Sequence, residues 1–130
     1  MKKYFSWGLS LVAAIIMLQT LYFKFTANPE SVYIFTTVGM EPWGRIGTGV
    51  AELIASILLL IPSVRYIGAF LGAGIMFGAI ASHLLILGIE VQGDGGYLFI
   101  LAFVVLLSSG ILLVLDKEKI QNILKSILKN

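Results

Sequence analysis

The stretch GAFLGAGIMFGAIASHLLILGI, residues 68–89, is apolar throughout except for Ser82 and His83. A helix needs about 20 mostly apolar residues to cross a bilayer core of about 30 Å, so this stretch can span a membrane. His83 is the only histidine of the chain. Because an ionisable group at membrane depth is costly and normally faces the interior of a helix bundle, His83 is a candidate functional residue.

The composition of the whole chain is typical of a membrane protein. Hydrophobic residues make up 58% of the 130 residues and charged residues 12%, against about 45–50% and about 25% in soluble proteins. The chain has no cysteine, which excludes thiol chemistry and Cys-ligated metal sites within it. A net charge of +2 without a basic, aromatic-rich patch gives no reason to expect nucleic-acid binding. We expect a single membrane domain over residues 1–130.

Four segments are long and apolar enough to be predicted spans. Together they predict an all-α fold, an integral membrane four-helix bundle. Because the number of predicted spans is even, both ends of the chain are expected on the same side of the membrane. The predicted spans cover residues 6–24, 46–62, 65–89 and 97–115.

Two further helices are predicted outside the spans. Residues 25–45 are too apolar for a solvated loop and too interrupted to span, and we expect a short outer-side helix near 31–38, closed by Gly39 and Pro42. In residues 117–129, apolar side chains recur at helical spacing with lysines on the opposite face. This tail is predicted to be an amphipathic interfacial helix on an anionic leaflet, with a frayed polar end as the alternative.

The distribution of positive charge predicts the orientation in the membrane. Seven lysine and arginine residues fall on the side of the two termini, whereas Lys24 and Arg45 fall on the other side. The positive-inside rule therefore predicts that both termini lie in the cytoplasm.

Three predicted spans carry ionisable residues in their outer halves. Glu52 and His83 each lie about two turns from the outer end of the second and third span. Since these spans run in opposite directions, the two side chains reach a similar depth and are positioned to meet. We expect a polar pocket built on them, with the other charged candidates at its mouth. The candidate pocket residues are Glu52, His83, Lys24, Arg45, Asp94 and Met76.

The same candidate residues also have a purely structural interpretation. Glu52 and His83 could form a staple of ion pairs and hydrogen bonds that holds the helices in register. Lys24 is interpreted equally well as snorkelling to the interface and as pairing with Glu52, and Arg45 is interpreted as an outer-face anchor. Asp94, in QGDGG, is first of all a turn residue and a candidate helix N-cap.

Glycines recur on the third predicted span. Gly68-x-x-x-Gly72 and Gly74-x-x-x-Gly78 both fit the small-xxx-small pattern of close helix packing in membranes. Because packing inside one bundle does not need both motifs, the sequence also suggests a homodimer formed through this span.

The candidate residues limit the chemistry that the pocket can support. One histidine cannot supply both axial ligands of a membrane haem, and Glu52 with His83 underfills a zinc shell, so no metal site is predicted. A quinone fits, with its ring near Met76 and Phe77 and its carbonyl groups bonded to His83 or Lys24. A proton relay fits equally well. Motifs for soluble-type catalysis are absent from the sequence, and whether the chain is an enzyme stays open.

The more specific segments of the chain carry a resemblance to a known family. The chain resembles the DoxX-like family of small four-span bacterial membrane proteins from about residue 20 to residue 115. The surroundings of Glu52 and the G-A-x-x-S-H run around His83 are the most specific parts. The segments are LYFKFT at 21–26, VGMEPWGRIGTGVAELIASILLLIP at 38–62, GAFLGAGIMFGAIASHLLILGI at 68–89 and DGGYLFILAFVVL at 94–106.

The resemblance implies a four-helix bundle in the bacterial cytoplasmic (inner) membrane. It also implies a link to redox metabolism, because the family takes its name from a subunit of a thiosulfate:quinone oxidoreductase. The first hypothesis is therefore a quinone- or redox-associated membrane subunit with redox proteins as membrane partners. The second is a non-enzymatic binding protein or carrier for a membrane lipid or a small solute, proton-coupled through Glu52. The third is a membrane scaffold.

Overall fold

The computed structural model describes residues 2–129, and its regular structure there is helical. The prediction of an all-α membrane fold is confirmed. A 3₁₀ turn, Pro62–Val64, joins the third and fourth helices, and a π-helical turn, His83–Leu87, extends the fourth. The α-helices in the described range are α1 (Lys2–Phe25), α2 (Pro29–Thr37), α3 (Trp43–Leu59), α4 (Arg65–Ser82), α5 (Tyr97–Leu115) and α6 (Lys117–Lys129).

Three helical stretches within residues 2–129 are long and apolar enough to cross a membrane, by length and composition: Lys2–Phe25, Pro62–Leu87 and Tyr97–Leu115. They correspond to the first, third and fourth predicted spans. The second prediction, 46–62, corresponds to α3, which ends early because Pro62 holds Ile61 in an extended conformation. The 17 residues of α3 reach about 25 Å, less than the bilayer core of about 30 Å. That α3 crosses the membrane stays a prediction.

The four long helices pack in a closed ring. Helix α1 lies against α3 and α5, and α4 lies against the same two helices. Gly68 marks a close approach of α4 to α3, since a Cβ added there would lie 2.6 Å from the backbone nitrogen of Leu59. At Gly72 an added Cβ would lie 3.2 Å from the Ser109 hydroxyl oxygen. The first of the two glycine motifs is therefore used inside the bundle.

The outward faces of the ring are apolar. Phe70, Phe77 and Val114 are each about 70% exposed (73%, 69% and 68%). Large exposed apolar surfaces are unusual on soluble proteins and are expected where helices face lipid. Phe77 lies on this outward face and does not line the cavity of the bundle, so the prediction that it packs beside a ligand in the pocket is wrong.

Helix α2 covers one end of the ring, which we call the outer end. It begins at Pro29, two residues before the predicted start, because the side-chain oxygen of Asn28 accepts a hydrogen bond from the Glu30 N–H at 3.0 Å. Its end agrees with the prediction, since Gly39 adopts a positive φ of 78° just beyond it. The helix contacts α1, α3 and the π-helical turn.

Helix α6 lies at the opposite, inner end, where the predicted amphipathic tail is confirmed as a helix. Its apolar residues Leu124, Ile127 and Leu128 are exposed. Lys119 ties it to the bundle by donating a hydrogen bond to the Ser63 carbonyl at 2.7 Å.

Arg65 ties the inner ends of three helices together. It was counted among the positive charges of the terminal side, but only 6% of it is exposed. Its Nε donates to the Leu59 carbonyl oxygen at 2.9 Å, and its guanidinium lies 4.3 Å from the ring centroid of Trp7. Such a contact is a cation–π interaction, so this arginine joins α1 to the α3–α4 hairpin.

Candidate functional site

A cavity of about 720 Å³ lies at the outer end of the bundle, lined by α1, α2, α3, α4, the π-helical turn and α5. Its wall is mostly apolar, with a few polar groups at separate points. This size and composition are typical of a site for a small organic molecule. Four of the six residues predicted for a pocket line this cavity: Lys24, Glu52, Met76 and His83.

The centre of the polar wall is an ion pair between α1 and α3. Lys24 Nζ lies 2.7 Å from Glu52 Oε1, and the Thr20 hydroxyl donates to Glu52 Oε2 at 2.6 Å. Only 1% of the Glu52 side chain is exposed, against 15% for Lys24. Burial without these partners would be costly for a carboxylate, so both helices are held in register here. Lys24 therefore pairs with Glu52. It also lies near the predicted membrane–water interface.

His83 reaches the same cavity but has a different partner. Its Nδ1 lies 2.9 Å from the Gly88 carbonyl oxygen, and since a carbonyl can only accept, Nδ1 carries the proton and donates. In the neutral ring, Nε2 is then left as an acceptor. The ring also packs edge to face against Phe99, with the two ring centroids 5.6 Å apart. The structure thus brings Glu52 and His83 to one cavity, but the partners of Glu52 lie on α1 and the partner of His83 lies just beyond the π-helical turn.

Arg45 lies beside the cavity and not on its wall. Its Nε donates to both carboxylate oxygens of Glu41, at 2.8 and 3.0 Å, and its NH1 group donates to the Lys24 carbonyl oxygen. Arg45 is 7% exposed. It therefore fixes the end of α1 against the start of α3, and it is more than an outer-face anchor.

Asp94 also lies off the cavity wall, in the turn before α5. Its carboxylate accepts hydrogen bonds from the backbone N–H groups of Val91, Gly96 and Leu98, at 3.0, 2.8 and 3.3 Å. Burial raises the pKa of Asp94, but the three backbone hydrogen bonds lower it, and the pKa lies below its usual range. The structure supports Asp94 as a turn residue whose carboxylate also accepts from an N–H group in the first turn of α5, whereas the N-cap position itself is occupied by Gly96.

We expect Asp94→Ala to lower the free energy of unfolding by about 1 kcal/mol at neutral pH, the usual cost of a lost cap. A carboxylate with a depressed pKa stabilises the fold above the pKa of the unfolded state, about 3.9, and this stability is lost as the pH falls through the folded-state pKa. The difference in the free energy of unfolding between wild type and Asp94→Ala should therefore disappear in acid. Unfolding followed across pH measures it. Asp94→Asn, which keeps an acceptor, is the control, and a gap of equal size at about pH 3 and at neutral pH would contradict the assignment.

Two carboxylates were missed by sequence reasoning. Glu30 lines the cavity from the first turn of α2, and it was overlooked because that helix was expected to begin at residue 31. The run Asn28-Pro29-Glu30 is a helix-start signature that could have placed it. Glu41 was also overlooked, although its i, i+4 spacing to Arg45 indicates a pair on one helical turn.

The match to a family model decides which family the chain belongs to. The model of the DoxX-like family matches residues 8–110. The chain belongs to the DoxX-like family. No curated protein and no solved structure matches the chain significantly. The residues that line the cavity of this DoxX-like protein, from Ile16 to Ala102, all fall within the matched region, whereas α6 lies outside it.

Proposed function

We propose that this DoxX-like membrane protein binds a small hydrophobic molecule in the cavity at its outer end, and that a quinone is the ligand. The observation that carries the proposal is the cavity itself, whose volume of about 720 Å³ lies within the range of about 300–1,000 Å³ usual for ligand sites. The apolar part of the wall suits a ring and its tail. Met76 is part of that wall.

The polar groups of the wall suit the oxygen atoms of a quinone. The Lys24 ammonium has three N–H donors, and Glu52 occupies one of them. A second is free to bond a carbonyl oxygen. A histidine that donates through Nδ1 keeps Nε2 as an acceptor, which suits the hydroxyl group of a reduced quinone. These groups support binding of either redox form.

The proposed role is that of a redox-associated membrane subunit. In this role a membrane partner protein would supply the electrons to the quinone, since the chain has no cysteine for thiol redox chemistry of its own. The same cavity would also suit a carrier or binding protein for a lipid or another small solute. The chemical identity of the ligand separates these roles.

The proposed setting is the bacterial inner membrane, with both termini and α6 on the cytoplasmic side and α3 completing a fourth span. Its support is the excess of lysine and arginine at the inner end. Reaction of lysines with an impermeant reagent in sealed vesicles of known sidedness tests this orientation. A homodimer through the fourth helix stays a prediction. Gly74 and Gly78 lie on the cavity wall, so a second copy packed against them would cover the cavity.

The cavity is proposed to fill from the bilayer through an opening beside α4. Gly74 and Gly78 are exposed and also line the cavity, so they lie at its edge. A Cβ added at either glycine would meet no atom of the described chain within 4 Å. The two residues lie near the middle of the stretch Pro62–Leu87, at a depth where a membrane-dissolved molecule would enter.

Filling this opening is expected to abolish ligand binding. We expect Gly78→Trp to retain the copurifying ligand, and the probe decylubiquinone, at least about tenfold less than wild type, a difference of about 1.4 kcal/mol. Gly8→Trp is the matched control, because Gly8 is exposed on α1, away from the cavity, and an added Cβ there also meets nothing within 4 Å among residues 2–129. Purification in mild detergent, extraction and mass spectrometry measure retention.

The extracts separate the candidate roles. A quinone held by wild type and Gly8→Trp but lost from Gly78→Trp supports the redox-associated subunit. A lipid or another solute with the same pattern supports the carrier and contradicts the quinone. Identical extracts from all three proteins contradict binding in the cavity and leave the membrane scaffold.

A further inference from the structure

The charges that face the cavity do not cancel. Within residues 2–129, the ionisable side chains on its wall are Lys24, Glu30, Glu52 and His83, and the neutral form of His83, which donates through Nδ1, adds no charge. Lys24 and Glu52 neutralise each other at 2.7 Å. The carboxylate of Glu30 remains, and the nearby cation Arg45 is already engaged by Glu41.

Glu30 lacks a compensating partner. Its Oε1 atom is buried and accepts no hydrogen bond from any described residue. Burial raises the pKa of Glu30, and the negative charge of Asp94 raises it further. Both effects mean that this end of the cavity is a poor place for negative charge, whether it belongs to the protein or to a ligand.

A ligand with an anionic head group would meet two obstacles. The Glu30 carboxylate on the wall would repel it, and Asp94, which lies off the wall but close enough to raise the pKa of Glu30, would add to the repulsion. The cation it would seek, Lys24, is already paired with a buried carboxylate. An uncharged head group meets neither obstacle.

The wall offers an uncharged head group several partners. Gln19, Asn28 and Thr48 line the cavity beside the charged residues, and their amide and hydroxyl groups both donate and accept hydrogen bonds. A hydroxyl group can therefore be satisfied without disturbing the ion pair.

We infer that the cavity selects amphiphiles with an uncharged, hydrogen-bonding head group and excludes the anionic amphiphiles of the same chain length. This inference rests on the proposed function, since it presupposes that the cavity binds a hydrophobic ligand. It adds that the cavity binds long-chain alcohols and excludes fatty acids and other long-chain anions.

Two matched photoreactive probes test the inference. 1-Dodecanol and dodecanoate, each carrying a diazirine at the end of the chain, are added to the full-length protein in nanodiscs of zwitterionic phospholipid at a pH where the acid is ionised. Labelling of the cavity-lining peptides is measured by mass spectrometry at equal probe concentration in the membrane. We expect the alcohol to label the cavity at least about tenfold more than the acid, which corresponds to about 1.4 kcal/mol.

Charge variants attribute the selection to Glu30. Glu30→Gln should reduce the preference for the alcohol to about twofold or less, because the amide keeps the shape and removes the charge. Glu90→Gln is the matched control, since Glu90 is exposed in the outer loop and away from the cavity. It removes the same charge and should leave the preference unchanged.

The outcomes distinguish the inference from the proposed function. Equal labelling of the cavity by both probes in wild type, or an unchanged preference in Glu30→Gln, overturns the inference and leaves cavity binding intact. If neither probe labels the cavity, both the proposed function and the inference are overturned.

Discussion

Glu52→Leu is expected to lower the free energy of unfolding by about 3–5 kcal/mol, the usual cost of removing one partner of a buried ion pair. The Glu52 carboxylate accepts from the Lys24 ammonium and from the Thr20 hydroxyl, and it is 1% exposed. Leucine would leave both donors against an apolar surface. Thermal or denaturant unfolding in mild detergent measures the loss.

The double variant Lys24→Leu/Glu52→Leu is the decisive control. Replacing a whole buried pair with apolar residues is often neutral or stabilising, so we expect the double variant to recover most of the lost stability. Glu90→Leu, at an exposed position, should change stability by no more than about 0.5 kcal/mol. A Glu52→Leu protein as stable as wild type would contradict a structural role for the pair, as would a double variant no better than the single one.

The same double variant separates the two interpretations of the polar cluster. If the pair is only a staple, the double variant should be stable and should retain the same copurifying ligand as wild type. If the pair also orients a ligand, a stable double variant should lose it. Retention and stability therefore need to be measured on the same preparation.

Gly68→Ala is expected to lower the free energy of unfolding by about 3 kcal/mol, the upper end of the usual cost of overpacking. An added Cβ would lie 2.6 Å from the Leu59 nitrogen and 2.8 Å from the Ala55 oxygen. Both atoms belong to the α3 backbone, so the methyl group fits only if α3 and α4 move apart. The unfolding midpoint in detergent is the measurement.

Gly74→Ala is the matched control on the same helix, with the opposite expected sign. An added Cβ there meets nothing within 4 Å in residues 2–129, and alanine favours the helical backbone over glycine by up to about 1 kcal/mol. We therefore expect a small gain in stability. Equal losses at Gly68 and Gly74 would mean that α3 and α4 do not pack as closely as described.

Local sequence signals predicted most of the helices. Length and apolar composition placed the first, third and fourth spans, and the alternation of lysine with isoleucine and leucine placed α6. The end of α3 was missed by three residues although Pro62 is visible in the sequence, because a proline restricts the residue before it as well. The start of α2 was missed because the capping role of Asn28 was not considered.

The candidate site was predicted less completely. Depth along each span correctly brought Lys24, Glu52 and Met76 to one cavity with His83. Depth alone does not say which of two neighbouring helices a side chain faces. The expected contact of Glu52 was therefore with His83, whereas the pairing with Lys24 of α1 that the structure shows was one of two interpretations of Lys24. Glu30 reaches the cavity only because α2 folds over the outer end.

The sequence by itself determined that this chain is a helical membrane protein, because hydrophobic length and the placement of charges are properties of single segments. Its family follows from the match to the DoxX-like family model over residues 8–110. Only the tertiary structure decided which glycines pack helices and which border open space, and which carboxylates are paired. Gly68 and Gly74 lie in the same helix and look alike in sequence, yet one touches the α3 backbone and the other borders the cavity. The reason is that packing and charge pairing depend on the distance and rotation between helices, which arise when segments far apart in the chain come into contact.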